Sequence, residues 1–282
     1  MTTVRPSVEA SLKRASRDGS FDLGETALVL ASRRRPGVPL GPYRRHLAKL
    51  AEETADYARA SASRGTQATP LALRAEALRQ VIGKRYRYQG SEAALEESDG
   101  ANLMRVIDYR AGLPVALAIL YLHAARALSW PAVGIDFPVR FLVRLEDAGE
   151  RVLLDPFEGG RALGAHDLRA MLTAEAGSGA AFSFADLIEI DGRALLLKLQ
   201  REAKVRLVEE ERLQDAAETA ETIALLDPAD PAPWRDMGFL FAHAGETKRA
   251  ADALVEYLKR ESDRAKAAEA EALLGTLRRQ LI

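Results

Sequence analysis

GLPVALAILYLHAARAL, residues 112–128, is apolar on nearly every face and is interrupted only by His123 and Arg126. Helical spacing without a polar stripe predicts a helix buried on most of its surface. The run is too short and too interrupted to cross a bilayer. Three strand-like runs follow it: VGIDF (133–137), RFLVRL (140–145) and RVLLDPF (151–157). Within them FPVRFLVR (137–144) alternates with period two, which predicts Phe137, Val139, Phe141 and Val143 on one strand face and Arg140 and Arg144 on the other. EDAGE (146–150) suits a hairpin turn between the last two runs. The expectation is an antiparallel sheet packed on a buried helix.

Upstream, apolar residues recur at spacings of three and four through 25–33 and 43–60, so the first hundred residues read as helices. Pro42 and Pro70 each suit a first helical turn, with Thr69 as the cap before Pro70. The helix through Leu71, Leu78 and Val81 is expected to stop near Gly83, and GTQATP (65–70) to form a loop. Downstream, GSG (177–179) reads as a loop, and helical pattern resumes near Arg193.

The C-terminal part carries a repeat. Trp234, Met237, Gly238, Phe241, Ala250, Leu254 and Tyr257 fall on the spacing of a tetratricopeptide unit over 231–264. Ala216, Ala220, Ile223 and Pro228 occupy the late positions of a degenerate repeat before it, and a closing helix runs toward Ile282. The fold class is therefore α+β, with residues 1–192 as one domain and 193–282 as an all-α domain. Stacked helical repeats present surfaces suited to peptides, so a protein or peptide partner is expected, with Trp234, Phe241 and Tyr257 as binding candidates.

Composition narrows the function classes. The chain has 282 residues, 40 basic and 41 acidic, for a net charge of −1, which gives no general field for nucleic acid or anionic membrane. It has no cysteine, which removes disulfides, thiolate nucleophiles and zinc-thiolate sites, and fits a cytoplasmic location. MTTVRPSVEASLKRASRDGS (1–20) has no apolar core of signal-peptide length, so export is not expected. The four histidines, His46, His123, His166 and His243, show no metal-ligand spacing, and neither metal nor cofactor is expected. RRR (33–35) and GKRYRYQG (83–90) are read as solvated helix ends rather than an RNA-binding surface.

RAGLPVALAILYLHAARAL, FPVRFLVR and DPFEGG (155–160), in this order and followed by the repeat, resemble the SirB-type transglutaminase-like family over roughly residues 24–270. The family pattern R-x-G-x-P falls on Arg110, Gly112 and Pro114. Its F-P-G-H-F-L-V-R segment falls on FPVRFLVR, and D-P-F-x-G-G on DPFEGG. The resemblance implies a transglutaminase/papain-like core. In that parent fold a cysteine at the start of a buried helix is the nucleophile, a histidine on a neighbouring strand the base, and an acid on the next strand its orienter.

Carried onto this chain, the nucleophile place falls on the turn from Pro114 to Ala116, with Ala116 where SirB-type proteins often have serine. The histidine place is Arg140, whose guanidinium cannot act as a base. The acid survives as Asp155. With no catalytic residue in place, the expected function is a non-catalytic protein-interaction or regulatory scaffold with a vestigial cleft of Pro114, Ala116, Arg140 and Asp155. Two alternatives stand beside it: a cysteine-independent hydrolase or transferase of amide or ester bonds, and a small-anion-binding protein using Arg140. Arg140 and Asp155 are expected to pair, and Arg144 to be exposed or bound to another acid.

Overall fold

A computed structural model describes residues 21–64, 68–177 and 182–281. The N-terminal twenty residues read for a leader, the GTQ of the 65–70 loop, Ser178 and Gly179 of GSG, and Ile282 lie outside the described residues. Two compact units divide the described chain, one over Phe21–Leu195 and one from Leu196 to the last described residue.

In the first unit Asp22 caps α1 (Leu23–Arg33) by accepting the Glu25 amide at 2.9 Å. Helix α2 (Gly41–Ser63) has Pro42 in its first turn and buries one stripe: Tyr43, Leu47, Leu50, Ala51 and Thr54. Thr69 caps α3 (Pro70–Leu78), accepting the Ala72 amide at 3.3 Å. The helical run ends near Gly83 as expected, at Arg85. It widens into a π-helix over Arg79–Arg85, where the Tyr86 amide donates to the Val81 carbonyl at 3.0 Å. Gly83 also serves a close approach: a Cβ there would lie 1.9 Å from the carbonyl oxygen of Gly159.

After the short α4 (Glu92–Glu96), Asn102 caps α5 (Leu103–Tyr109) with bonds from the Met104 and Arg105 amides at 3.1 and 3.3 Å. Arg110 ends that helix in the left-handed region, φ 60°. The chain then enters α6 (Pro114–Ala127), the helix of the opening motif. It buries ten residues from Val115 to Ala125, since no polar stripe exists for water to solvate.

Five strands follow: β1 (Ala132–Asp136), β2 (Phe141–Asp147), β3 (Glu150–Asp155), β4 (Arg161–Leu163) and β5 (Ile188–Ile190). They form one antiparallel sheet in the order β4-β3-β2-β1-β5. Asp147 faces Glu150 across a two-residue turn, with Ala148 and Gly149 at φ 47° and 86°. Two positive φ values match the twist of the flanking strands. EDAGE is thus the turn and the last residues of each strand.

FPVRFLVR is not a single strand. Pro138, Val139 and Arg140 form the bend between β1 and β2, and Asp136 pairs with Phe141 across it. The reversal breaks the alternation. Phe137 and Val139 join Ile135, Leu142, Leu168 and Leu172 in the layer made with α7 (Ala165–Ala176). Phe141, Val143 and Leu145 alternate to the opposite face of β2, the side left for α6, which packs on β1 and β2.

The second unit is all helix. The chain leaves the sheet through α8 (Gly192–Glu209), and α9 (Leu213–Leu226), α10 (Ala232–His243), α11 (Thr247–Leu258) and α12 (Arg264–Gln280) pack each on the next. Small residues let them approach: Ala217, Ala220, Ala250 and Ala270 line the core with Phe241, Leu254 and Tyr257. Gly238 allows the closest contact, since a Cβ there would meet the Leu254 side chain at 2.3 Å. Phe241 and Tyr257 are 1% and 2% exposed. The expectation that they form a binding surface is therefore corrected: the large residues of the repeat pattern are the ones that hold the helices together. Trp234 packs partly buried on the same core, with Arg260 over its ring at 4.6 Å.

Among the described residues no helix is long and apolar enough to cross a membrane.

Candidate functional site

Asp155 ends β3 fully buried, where strand pairing stops and the chain turns into PFEGG. One carboxylate oxygen accepts the amides of Phe157 and Glu158 at 2.9 and 3.3 Å, folding that turn over it. The other accepts Arg140 Nη1 at 3.0 Å. The same nitrogen reaches Glu158 at 3.3 Å, and the guanidinium lies 4.8 Å over the Phe157 ring. Glu158 goes on to Arg161 at 2.6 Å, and Arg161 to Asp167 at 2.8 Å. Charges of alternating sign thus run from the buried strand end to the surface. Burial pushes the Asp155 carboxyl above the ordinary aspartate value, and the Arg140 charge offsets this only in part.

Chemically this is a clamp. A guanidinium carries no lone pair to take a proton, and the carboxylate that would orient a base is committed to a cation and two amides. Arg144 forms its own ion pairs with Glu146, at 2.6 Å, and with Glu189. Pro114 opens α6 and Ala116 is fully buried in its first turn, and neither offers a polar side-chain atom. The α6 residue that feels Asp155 is Tyr121. Burial first, and then the Asp155 charge, hold its phenol upward, and its hydroxyl is buried with no hydrogen-bond partner among the described residues.

Residues 42–201 match the Transglutaminase-like superfamily, more than half of the chain. The chain belongs to the transglutaminase-like superfamily. Residues 203–275 of this transglutaminase-like protein match the tetratricopeptide repeat. A UPF0162 protein of Xylella fastidiosa strain Temecula1 is 28% identical over 246 residues, covering 86% of this chain and 85% of the relative. UPF0162 protein YchA of Escherichia coli K12 is 30% identical, covering 63% and 66%. Protein SirB1 of Salmonella typhimurium LT2 is 31% identical, covering 55% and 58%.

The transglutaminase-like domain holds a second polar cluster that the sequence did not announce. His46, on α2, shares its Nε2 with the Tyr88 hydroxyl at 2.7 Å and Arg110 Nη1 at 2.9 Å. Arg110 Nη1 also donates to the Tyr88 hydroxyl, and its guanidinium stacks on the rings of Tyr88 and Tyr86 at 4.8 and 5.6 Å. Since the guanidinium only donates, His46 Nε2 is the acceptor and the neutral ring carries its proton on Nδ1. Burial, then the Arg110 and Lys49 charges, lower the His46 pKa to about 4.

The tyrosines of GKRYRYQG therefore face inward, Tyr88 fully buried and Tyr86 donating to Glu53 at 2.9 Å. The available signal was the alternation of aromatic and basic residues in GKRYRYQG, a separate segment upstream of Arg110. Among the described residues, no three His, Asp or Glu side chains gather as metal ligands would.

Proposed function

We propose that this transglutaminase-like/tetratricopeptide protein is non-catalytic and acts in the cytoplasm as a protein-interaction or regulatory scaffold. The observation that carries this reading is Arg140, in the family's histidine place, bonded to Asp155 at 3.0 Å. The residue that would orient a base neutralises a permanent cation instead. Ala116, at the nucleophile place, supplies no attacking atom, and loss of a nucleophile alone costs on the order of 10⁶ in turnover in triad hydrolases. The helical repeat region supports the interaction role, because packed helix pairs build extended surfaces without needing a reactive group.

Arg140 is poorly suited to a small anion, since two carboxylates already hold its Nη1 and an aromatic ring covers one face.

The test is an assay of the purified full chain against amide, ester and amine-transfer substrates, alongside Asp155→Ala. No saturable turnover is expected from either protein. Turnover by the natural sequence that disappears in Asp155→Ala overturns the reading. A partner captured in fixed stoichiometry should bind both proteins alike wherever its contacts lie in the repeats.

A further inference from the structure

We infer that Arg110, with His46 and Tyr86 beside it, forms a binding site for an oxyanion, a phosphate or carboxylate group, in the transglutaminase-like domain. The inference does not depend on the scaffold reading and concerns a different face of chemistry: a cation left without an acid.

Arg110 is held at both ends of its backbone. Its amide donates to the Val106 carbonyl at 2.9 Å, and its carbonyl accepts the Gln89 amide at 3.2 Å. Between them the residue keeps φ 60°, a left-handed conformation that a non-glycine residue holds only where the surroundings enforce it. The side chain is placed as firmly. It stacks on two tyrosine rings, and Nη1 is fixed by Tyr88 and His46. A guanidinium has five N–H donors. Among the described residues only Nη1 is used, and the Nε and Nη2 donors meet no protein acceptor.

No carboxylate neutralises the guanidinium among the described residues. The neighbouring acids are engaged elsewhere: Asp108 with Arg35 at 2.6 Å and Tyr43 at 3.1 Å, Glu53 with Arg85 at 2.8 Å, Tyr86 at 2.9 Å and Lys49 at 3.7 Å. Arg140 shows the contrast, because the fold gives that arginine Asp155 and Glu158.

The groups facing His46 are Arg110, Lys49 and Glu53, with the rings of Tyr86 and Tyr88 against it. Two of those three charges are positive, and Arg85 adds a third cation through Glu53. His46 stays neutral in this setting and leaves its lone pair to position Arg110. The result is a planar fork with an open edge, in a partly exposed, cationic setting. That is the geometry by which guanidinium recognises phosphate and carboxylate through paired hydrogen bonds.

The experiment uses the full chain and follows the His46 imidazole signals by NMR through a pH titration, in inorganic phosphate, in acetate, and in chloride of matched ionic strength. An anion on Arg110 offsets the charge that opposes His46 protonation, so the His46 pKa should rise from about 4 in phosphate, acetate or both, relative to chloride. Phosphate alone would identify a phosphoryl-type ligand, and acetate as well would admit a carboxylate. An equal effect of chloride, or no movement with either oxyanion, overturns the proposal. Arg110→Lys keeps the charge and loses the fork, so it should weaken the response about tenfold. If that variant does not fold, the natural-sequence titration decides.

Discussion

Gly83 and Gly159 meet backbone to backbone, with the space a Cβ would need on Gly83 occupied by the Gly159 carbonyl. The contact joins the π-helix after α3 to the turn that follows β3. Gly83→Ala should cost about 2–3 kcal/mol, because backbone rather than a flexible side chain must move. Helix propensity pulls the other way by about 1 kcal/mol, so the sign is decisive. Urea denaturation at fixed pH checks it, and an unchanged or raised midpoint would show that the two segments can separate freely.

Removing either member of the Arg140–Asp155 pair strands the other. Asp155→Ala should destabilise more than Arg140→Ala, since Asp155 is fully buried and also holds the two turn amides, whereas Arg140 is 24% exposed and keeps Glu158. The double variant should lose less than the sum, with a coupling of about 1–2 kcal/mol. Strictly additive losses would reduce the pair to a coincidence of two independent side chains.

His46 makes the stability pH-dependent in a defined direction. Its pKa falls from 6.5 to about 4 on folding, so between those values the unfolded chain binds more protons. The contribution is fully present above about pH 6.5 and is lost as pH falls toward 4. The difference in unfolding free energy between the natural sequence and His46→Gln should shrink over that window. A difference that stays level from neutral pH down to 4 would refute it.

Tyr121 carries a buried hydroxyl with no partner among the described residues. Tyr121→Phe removes the unsatisfied group while keeping the ring, and should leave stability unchanged or raise it by about 1 kcal/mol. Thermal unfolding measures this directly, and a loss of more than about 1 kcal/mol would mean that the hydroxyl has a partner after all.

The buried helix, the hairpin at EDAGE and the repeat were legible because each has a local signature: an unbroken apolar face, a two-residue turn rich in small residues, and a fixed period. The bend at Pro138–Arg140 was not, because alternation through Phe137, Val139, Phe141 and Val143 survives on paper whether or not the chain reverses. The second role of Gly83 was hidden for a related reason. Its value to the fold lies in a neighbour far along the sequence, which no helix-stop rule contains. Arg140 and Asp155 could be paired from the motif, whereas the His46, Tyr88 and Arg110 cluster draws on three separate segments. Phe241 and Tyr257 were visible as repeat residues but not as interior ones, because the pattern records position and not exposure.

The sheet ends on both sides in strands of three residues, β4 and β5. An edge strand that short presents only a few free ladder groups to an incoming extended segment. Arg161, on the β4 edge, is further tied into ion pairs with Glu158 and Asp167. Short outer strands of this kind limit the ladder that edge-to-edge aggregation could extend, so the fold carries its own guard against misassembly.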